Sequence, residues 1–442
     1  MLNRHIDNHI LEWMKNKTAQ GLLIAGARQV GKTTAVREFA FKHYDNLAEV
    51  NFYENSVAKT SLNEATNTND LLFRLSLLTG KEIIPNKTLL FLDEIQECQD
   101  ALTWVKFLAG DKHLDVIISG SLLGLDAFVN VRSIPVGFLE EIKMFPMTFS
   151  EFCEALGIHN EVWNTVKEHL CSFEKIPDYL HQMLFQRCRE YLLIGGMPDA
   201  VQAFVDTSQI VRTRRIQGNI LNLYRADISK YVDDKTEARQ IKMAFDSIPA
   251  QLNTPSKRFK YSRLNKNLRF SNLETAFDWI THAGIAIQAT RVSEIQFPLR
   301  LSEDISKFKF FLNDVGLLTQ TLMQEASIEI INGTNNINYG SIYEAFVAQE
   351  LLASGLTPHY YSSKKLGEID FVIENSRTGN VLPIEVKSGK DYKRHSALLN
   401  YLNNDVGQNE EAIILHNGNI EQVGKRIYLP IYATSLIKEL FL

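Results

Sequence analysis

The chain alternates short apolar runs with amphipathic stretches for its first 150 residues. Apolar runs at 21–26, 47–52, 88–93 and 115–119 read as strands, with another around 134–139. Between them, 32–43, 68–79 and 98–109 carry apolar residues at helical spacing; Val36, Phe39 and Ala40 share one face. Helices between strands predict a parallel sheet covered on both faces, so the fold class is α/β. Residues 4–18 predict a covering helix with Ile6, Ile10, Leu11 and Met14 on one side. From 145 to 204 the pattern is helical until Gly195-Gly196-Met197-Pro198 signals a turn, and 205–235 reads as a helical connector.

The next stretch, 236–325, predicts a winged-helix-like module. Its helices are expected at 237–250, 261–268 and from Ser271 to Gly284, where Ser271 and Glu274 have capping-box spacing. Residues 285–289 and 308–312 would be wing strands. From 326 to 442, Gly367–Ile373 and Pro383–Lys387 read as strands joined by a turn at Asn375–Asn380.

Composition adds limits. The 442 residues are 45% hydrophobic and 22% charged, which suits a globular chain of several domains. A net charge of -5 means that any nucleic-acid contact must come from local patches. No run is apolar enough to span a membrane, and the N-terminus has no signal core. Cys98, Cys153, Cys171 and Cys188 lack CxxC spacing. A reduced cytoplasmic setting is expected, with no membrane partner.

The strongest chemistry lies at Gly26-Ala27-Arg28-Gln29-Val30-Gly31-Lys32-Thr33, which fits G-x-x-x-x-G-K-[ST] between a strand and a helix. The loop amides, with Thr34 at the start of the helix, would cradle phosphates at a positive helix end. Lys32 would place a charge near the β- and γ-phosphates, and Thr33 would join a Mg²⁺ shell. Leu89-Leu90-Phe91-Leu92-Asp93-Glu94 supplies the partner motif: Asp93 for Mg²⁺ and Glu94 to polarise the attacking water. At the end of the strand at 115–119, Ser119 or Ser121 is either a γ-phosphate sensor or an ordinary serine turn. Asn86-Lys87-Thr88 precedes the acidic motif and is no guanine signature, so ATP is expected rather than GTP.

These motifs together resemble a bacterial and archaeal family of AAA-type P-loop ATPases with a C-terminal domain of unknown function. The resemblance is carried by Gly26–Thr33, Leu89–Gln96, Ile118–Ser121, Phe145–Phe152, Gly195–Pro198, Tyr224–Ile228 and Glu385–Ser388. It implies a P-loop AAA-type ATPase core at 1–150, a helical lid and connector at 151–235, and possible assembly into homo-oligomers. One departure stands out. The family's Gly-Arg pair before the Phe-Pro motif is replaced by Val136-Gly137-Phe138, with Arg132 displaced. Arg212, Arg214 and Arg215 form either a solvated helix face or a finger for a neighbouring copy.

The second chemical signal is Asp370 followed by Glu385-Val386-Lys387. Glu385 and Lys387 lie two apart on a strand and share a face. The layout resembles the restriction-endonuclease-like PD-(D/E)xK core, which implies such a domain at 326–442. Asp370 and Glu385 would hold Mg²⁺, Lys387 would orient water, and Glu344 could join them. Lys364, Lys365, Lys390, Lys393 and Arg394 surround this motif. Lys257, Arg258, Lys260, Arg263, Lys266 and Arg269 form a basic run without an acid between 256 and 270, the expected nucleic-acid contact at 257–269. Glu274 and Asp278 on the following helix oppose major-groove docking. Two functions remain open: an ATP-driven enzyme acting on nucleic acid, or a nucleotide-dependent switch whose nuclease-like domain does not cut.

Overall fold

The computed structural model describes residues 2–16, 21–120, 137–232, 234–323, 339–375, 377–389, 392–403 and 411–442. The chain divides into two compact units, one within residues 3–145 and the other built from 146–281 and 285–442.

In the first unit, β1 (Gly21–Ala25), β2 (Asn46–Asn51), β3 (Thr88–Asp93), β4 (Asp115–Gly120) and β5 (Leu139–Lys143) form one sheet in the order β2-β3-β4-β1-β5. Every pairing is parallel. Side chains alternate across a strand, and both faces here are apolar. Leu22, Ile24, Phe91 and Ile117 pack against helices Ile6–Asn16 and Lys32–His43 through Ile10, Trp13, Val36 and Phe39. Leu23, Leu90, Leu92 and Ile118 meet Leu62, Leu71, Leu75 and Val105 on the other face. The helix expected at 4–18 is Ile6–Asn16 and the fifth strand is Leu139–Lys143; of the strand expected around 134–139, residues 134–136 lie outside the described residues. Ser121, Arg132 and Val136 lie outside the described residues.

The second unit begins with helices. Thr148 and Glu151 close a capping box on Phe149–Ala155. Gly195 has φ +69° and Gly196 lies against the Met147 backbone, so the turn at 195–198 admits no side chain at either position. Gly196 N donates to Asp314 Oδ2 at 2.5 Å, which ties this turn to the start of helix Val315–Leu322.

The rest of this unit is an eight-stranded mixed sheet. It contains β6 (Ala286–Val292), β7 (Glu303–Leu312), β8 (His359–Ser363), β9 (Gly367–Asn375), β10 (Asn380–Val386), β11 (Ala412–His416), β12 (Glu421–Val423) and β13 (Arg426–Pro430). The order is β12-β13-β11-β10-β9-β8-β6-β7. Here the structure departs from the expected wing. β6 pairs with β7 on one edge and with β8 on the other, so both strands belong to the C-terminal sheet. A boundary at 325 would cut that sheet. The helix expected at 261–268 is a single 3₁₀ turn, Tyr261–Arg263, and the next helix is Glu274–His282. The physical reason is packing: Phe308 and Phe310 of β7 lie against Phe277 at 4.9 and 5.6 Å between ring centroids. Helix and strand are thereby fixed as one layer.

Candidate functional site

The glycine loop follows directly from β1. A Cβ on Gly26 would collide with the Met144 carbonyl, and Gly31 has φ +93°, so each glycine is required by the backbone. Gln29 also takes a left-handed turn at φ +68°. Ala27 and Val30 are buried beneath the loop, while Thr34 is exposed. The Arg28 guanidinium lies 5.8 Å from the Tyr53 ring centroid. Lys32 Nζ donates to the Gly26 and Ala27 carbonyls, both at 2.9 Å. Burial lowers its pKa, against the pull of Glu94 and Asp93.

Asp93 joins the two motifs. Thr33 Oγ1 donates to Asp93 Oδ2 at 2.8 Å, and Asn51 Nδ2 donates to the same oxygen at 3.1 Å. Ser119 Oγ donates to Oδ1, and so does the Glu94 amide at 3.1 Å. Burial raises the Asp93 pKa although the Ser119 and Thr33 hydroxyls work against it. Glu94 has φ +54°, and Gln96 donates to its carboxylate. No described Lys, Arg or His forms an ion pair with Asp93. A hydroxyl facing a carboxylate with no cation paired to it is a hard oxygen donor set, and it fits Mg²⁺.

The C-terminal cluster is different. Val386 N donates to Asp370 Oδ2 at 2.9 Å, and Lys387 Nζ lies 2.7 Å from Glu385 Oε1. Asp370, Glu385 and Lys387 therefore come together, as the strand pattern predicts. Other groups join them. Lys309, on β7, places Nζ 3.0 Å from Glu368 Oε1, 3.2 Å from Glu344 Oε2 and 3.9 Å from Asp370 Oδ1. Lys257 pairs with Glu344, and Arg258 Nη2 lies 2.8 Å from Glu368 Oε2. Burial and the neighbouring Glu344 and Glu385 push the Asp370 pKa up. Burial raises Glu385 as well, against Lys387, and its Oε2 is buried with no partner. Burial would also raise Glu344, but Lys309 and Lys257 hold it below its usual value.

These four carboxylates already face four cations. No group of three or more His, Cys, Asp and Glu side chains arranged to hold a metal occurs among the described residues. The donor set at Asp370 and Glu385 is oxygen-rich, but a dication there would share it with the Lys309 ammonium, and the fit for Mg²⁺ is poor.

Residues 18–153 match a family model described as "AAA domain". This stretch is an AAA-type P-loop ATPase domain. Residues 185–327 match a domain of unknown function (DUF8612), and 339–434 match another (DUF4143). A search of curated proteins finds no match. Among solved structures, the chain is similar to the Walker-type ATPase of Pyrococcus abyssi, with 14% identity, TM-score 0.43 and coverage of 73% of this chain and 96% of that one. It is also similar to the ORC2 protein of Aeropyrum pernix in its ADPNP–ADP complexes, with 13% identity, TM-score 0.39 and coverage of 75% and 95%. Cdc6p of Pyrobaculum aerophilum gives 12% identity, TM-score 0.27 and coverage of 74% and 92%.

Two residues of the ATPase domain had escaped notice in the sequence. Asn51 ends β2 directly opposite Asp93, a place that strand order alone would have revealed. Arg4 donates to the Val30 and Phe145 carbonyls at 2.7 Å each, bracing the loop from behind, and nothing local in the sequence signals it. The basic run is divided: Lys257 and Arg258 face internal acids, whereas Lys260, Arg263, Lys266 and Arg269 are exposed. Arg214 is buried beside Thr319, and Arg212 and Arg215 are exposed. Lys390 lies outside the described residues. No helix among the described residues is long and apolar enough to cross a membrane.

Proposed function

We propose that the protein binds and hydrolyses ATP through its AAA-type domain, and that its second unit recognises a partner without cutting it. The observation that carries the first half is the 2.8 Å bond from Thr33 to Asp93, which brings both motifs to one point. The loop amides and Lys32 would bind the phosphates, Thr33 and Asp93 would hold Mg²⁺, and Glu94 would polarise water. Bound there, Mg²⁺ neutralises charge on the phosphate oxygens. Ser119, whose hydroxyl donates to Asp93, would hold that carboxylate in place beside the γ-phosphate.

The second half rests on the cations already placed among Glu344, Glu368, Asp370 and Glu385. Nucleic acid is the partner class favoured by exposed Lys260, Arg263, Lys266 and Arg269, whose contacts with phosphate would weaken with salt. A cytoplasmic location and a homo-oligomer belong to the same reading; light scattering with and without ATP tests the latter.

One observation favours the other reading, metal-dependent cleavage by Asp370, Glu385 and Lys387. Glu385 Oε2 is buried and unpartnered, and both acids have raised pKa values. The deciding experiment offers single-stranded, double-stranded and branched DNA, and RNA, with Mg²⁺ or Mn²⁺, with and without ATP. The proposal expects ATP turnover that is lost in Lys32→Ala, binding that weakens when the four exposed cations become Ala, and no cleavage. Cleavage that disappears in Asp370→Ala would replace the recognition module by a nuclease.

A further inference from the structure

A buried ammonium is costly unless its charge is met, so its surroundings reveal its purpose. Lys309 is fully enclosed. Its Nζ meets Glu368 at 3.0 Å, Glu344 at 3.2 Å and Asp370 at 3.9 Å, and it lies 5.1 Å from the Tyr360 ring centroid. Three carboxylates and an aromatic face surround one positive charge. Carboxylates from three points of the chain are the partners a divalent cation gathers.

The framework holds the lysine there. Lys309 is on β7, whose neighbour β6 pairs with β8, and β8 pairs with β9, the strand that carries Glu368 and Asp370. Glu344 comes from helix Tyr339–Ala353. The cation and its three acids are thus delivered by the rigid core of one unit. Lys257 covers the other Glu344 oxygen, and Arg258 covers the other Glu368 oxygen.

We propose that the Lys309 ammonium is the resident cation of this acidic site, holding Glu344, Glu368 and Asp370 together where a divalent metal would otherwise be needed. The inference rests on the non-cutting reading of the second unit. It gives a set of acids with nuclease-like layout a counter-charge from within the chain. A dication entering beside Asp370 and Glu385 would meet a fixed like charge within a few ångströms, and like charges at that range repel strongly when buried. The site is therefore self-neutralised, and removal of Lys309 converts it into a cation-binding site.

The test uses the full chain without nucleotide, so that the site at Thr33 and Asp93 is not loaded. Mn²⁺ is titrated and followed by electron paramagnetic resonance and by thermal melting. Wild-type protein is expected to take up no stoichiometric Mn²⁺ and to melt identically with EDTA or Mn²⁺. Lys309→Met is expected to melt lower, to bind one Mn²⁺ per chain, and to regain melting temperature as it does so. If Lys309→Met does not fold, Lys309→Met with Glu368→Gln removes one acid along with the cation, and the same gain of Mn²⁺ binding is expected.

Two outcomes overturn the proposal. One is stoichiometric Mn²⁺ binding by wild-type protein that disappears in Asp370→Asn or Glu385→Gln. The other is a folded Lys309 variant indifferent to Mn²⁺. A nucleic-acid cleavage assay on the same preparations tests the non-cutting reading separately. Binding of a fluorescent ATP analogue does the same for the ATPase domain.

Discussion

Asp93 and Asp370 are both acids on strands, and their surroundings treat them in opposite ways. Asp93 accepts hydrogen bonds from neutral groups: the Thr33 and Ser119 hydroxyls, the Asn51 amide and the Glu94 backbone. Such donors fix the carboxylate but do not cancel its charge. Asp370 accepts from one backbone amide and stands 3.9 Å from a buried ammonium, in a cluster where Glu344, Glu368 and Glu385 have cations of their own. Neutral donors leave charge over for a metal ion, whereas fixed cations consume it. Motif spacing in the sequence is the same kind of signal in both places, so only the counter-groups separate a metal site from a structural cluster.

The largest effect that can break this contrast is at the ATPase domain. Lys32→Ala removes the one buried cation of the loop, and ATP turnover should fall by more than about 100-fold, measured by phosphate release. Asp93→Asn keeps the shape and loses the charge. Turnover should fall by a similar factor while the melting temperature of the folded chain barely moves. A large loss of stability in Asp93→Asn would mean that its charge is structural after all, and the contrast with Asp370 would collapse.

Next in size is the cation of the other cluster. Lys309→Met leaves three carboxylates facing one another, and breaking a buried pair by removing one partner costs about 3–5 kcal/mol. Urea denaturation in EDTA should show a loss of that size, with ATP turnover unchanged. A loss below about 1 kcal/mol would show that Lys309 is solvated in solution and neutralises nothing.

A smaller effect sharpens the point about neutral framing. Arg4→Ala removes the charge-assisted bonds to the Val30 and Phe145 carbonyls and leaves the Asp93 and Thr33 pair as it is. Each is worth about 1.5–3 kcal/mol at most, part of which water restores. Nucleotide affinity should weaken about 10-fold through a looser loop, with Mg²⁺ dependence retained. An unchanged affinity would mean that the Gly31 turn and the helix end suffice to shape the loop.

The ATPase domain was largely legible because its chemistry is local. Gly26 to Thr33 are consecutive, and β3 is an apolar run that ends in Asp93. Such a pattern states its own geometry. Asn51 and Arg4 were not legible, since each acts across the fold, on β3 and on two loop carbonyls. The second unit was readable only in part. Asp370, Glu385 and Lys387 share a hairpin, and the register could be guessed. The strands expected at 285–289 and 308–312 look like the wing of a separate module, because nothing in a sequence says that β6 will pair with β8, Thr290 opposite His359. Lys309 sits among Phe308, Phe310 and Phe311, where a lone lysine reads as an edge-strand residue with its ammonium in water. Its burial depends on Glu344 and Glu368, which come from two other elements. The same blind spot made Lys257 and Arg258 look like phosphate contacts.

The smallest effect concerns a third way of handling a buried carboxylate. Glu350 is fully buried, accepts one bond from Phe149 N at 3.0 Å, and has neither a cation nor a set of neutral donors. Burial pushes its pKa up to about 8, with Glu151 adding to the rise and the Phe149 amide opposing it. In the unfolded chain the group titrates in the usual carboxylate range, so between there and pH 8 the folded state holds a proton that the unfolded state has released. Its contribution is full below the unfolded value and is lost as pH rises through about 8. Asp314, raised to about 6, has the same sign, and His416, lowered to about 4, the opposite one. Asp314 has finished titrating by pH 7, while Asp370 and Glu385 are raised as well, so the share of the slope between pH 7 and 8.5 that Glu350→Gln removes is the one that belongs to Glu350. Stability there should fall by about 1 kcal/mol per pH unit, read by urea denaturation at several pH values. Glu350→Gln, which stays neutral, should flatten that slope and leave the Mn²⁺ response of the Lys309 cluster as it was. A slope that survives in Glu350→Gln would place the titrating proton elsewhere, and the division of buried acids into metal-ready, cation-paired and protonated would lose its third member.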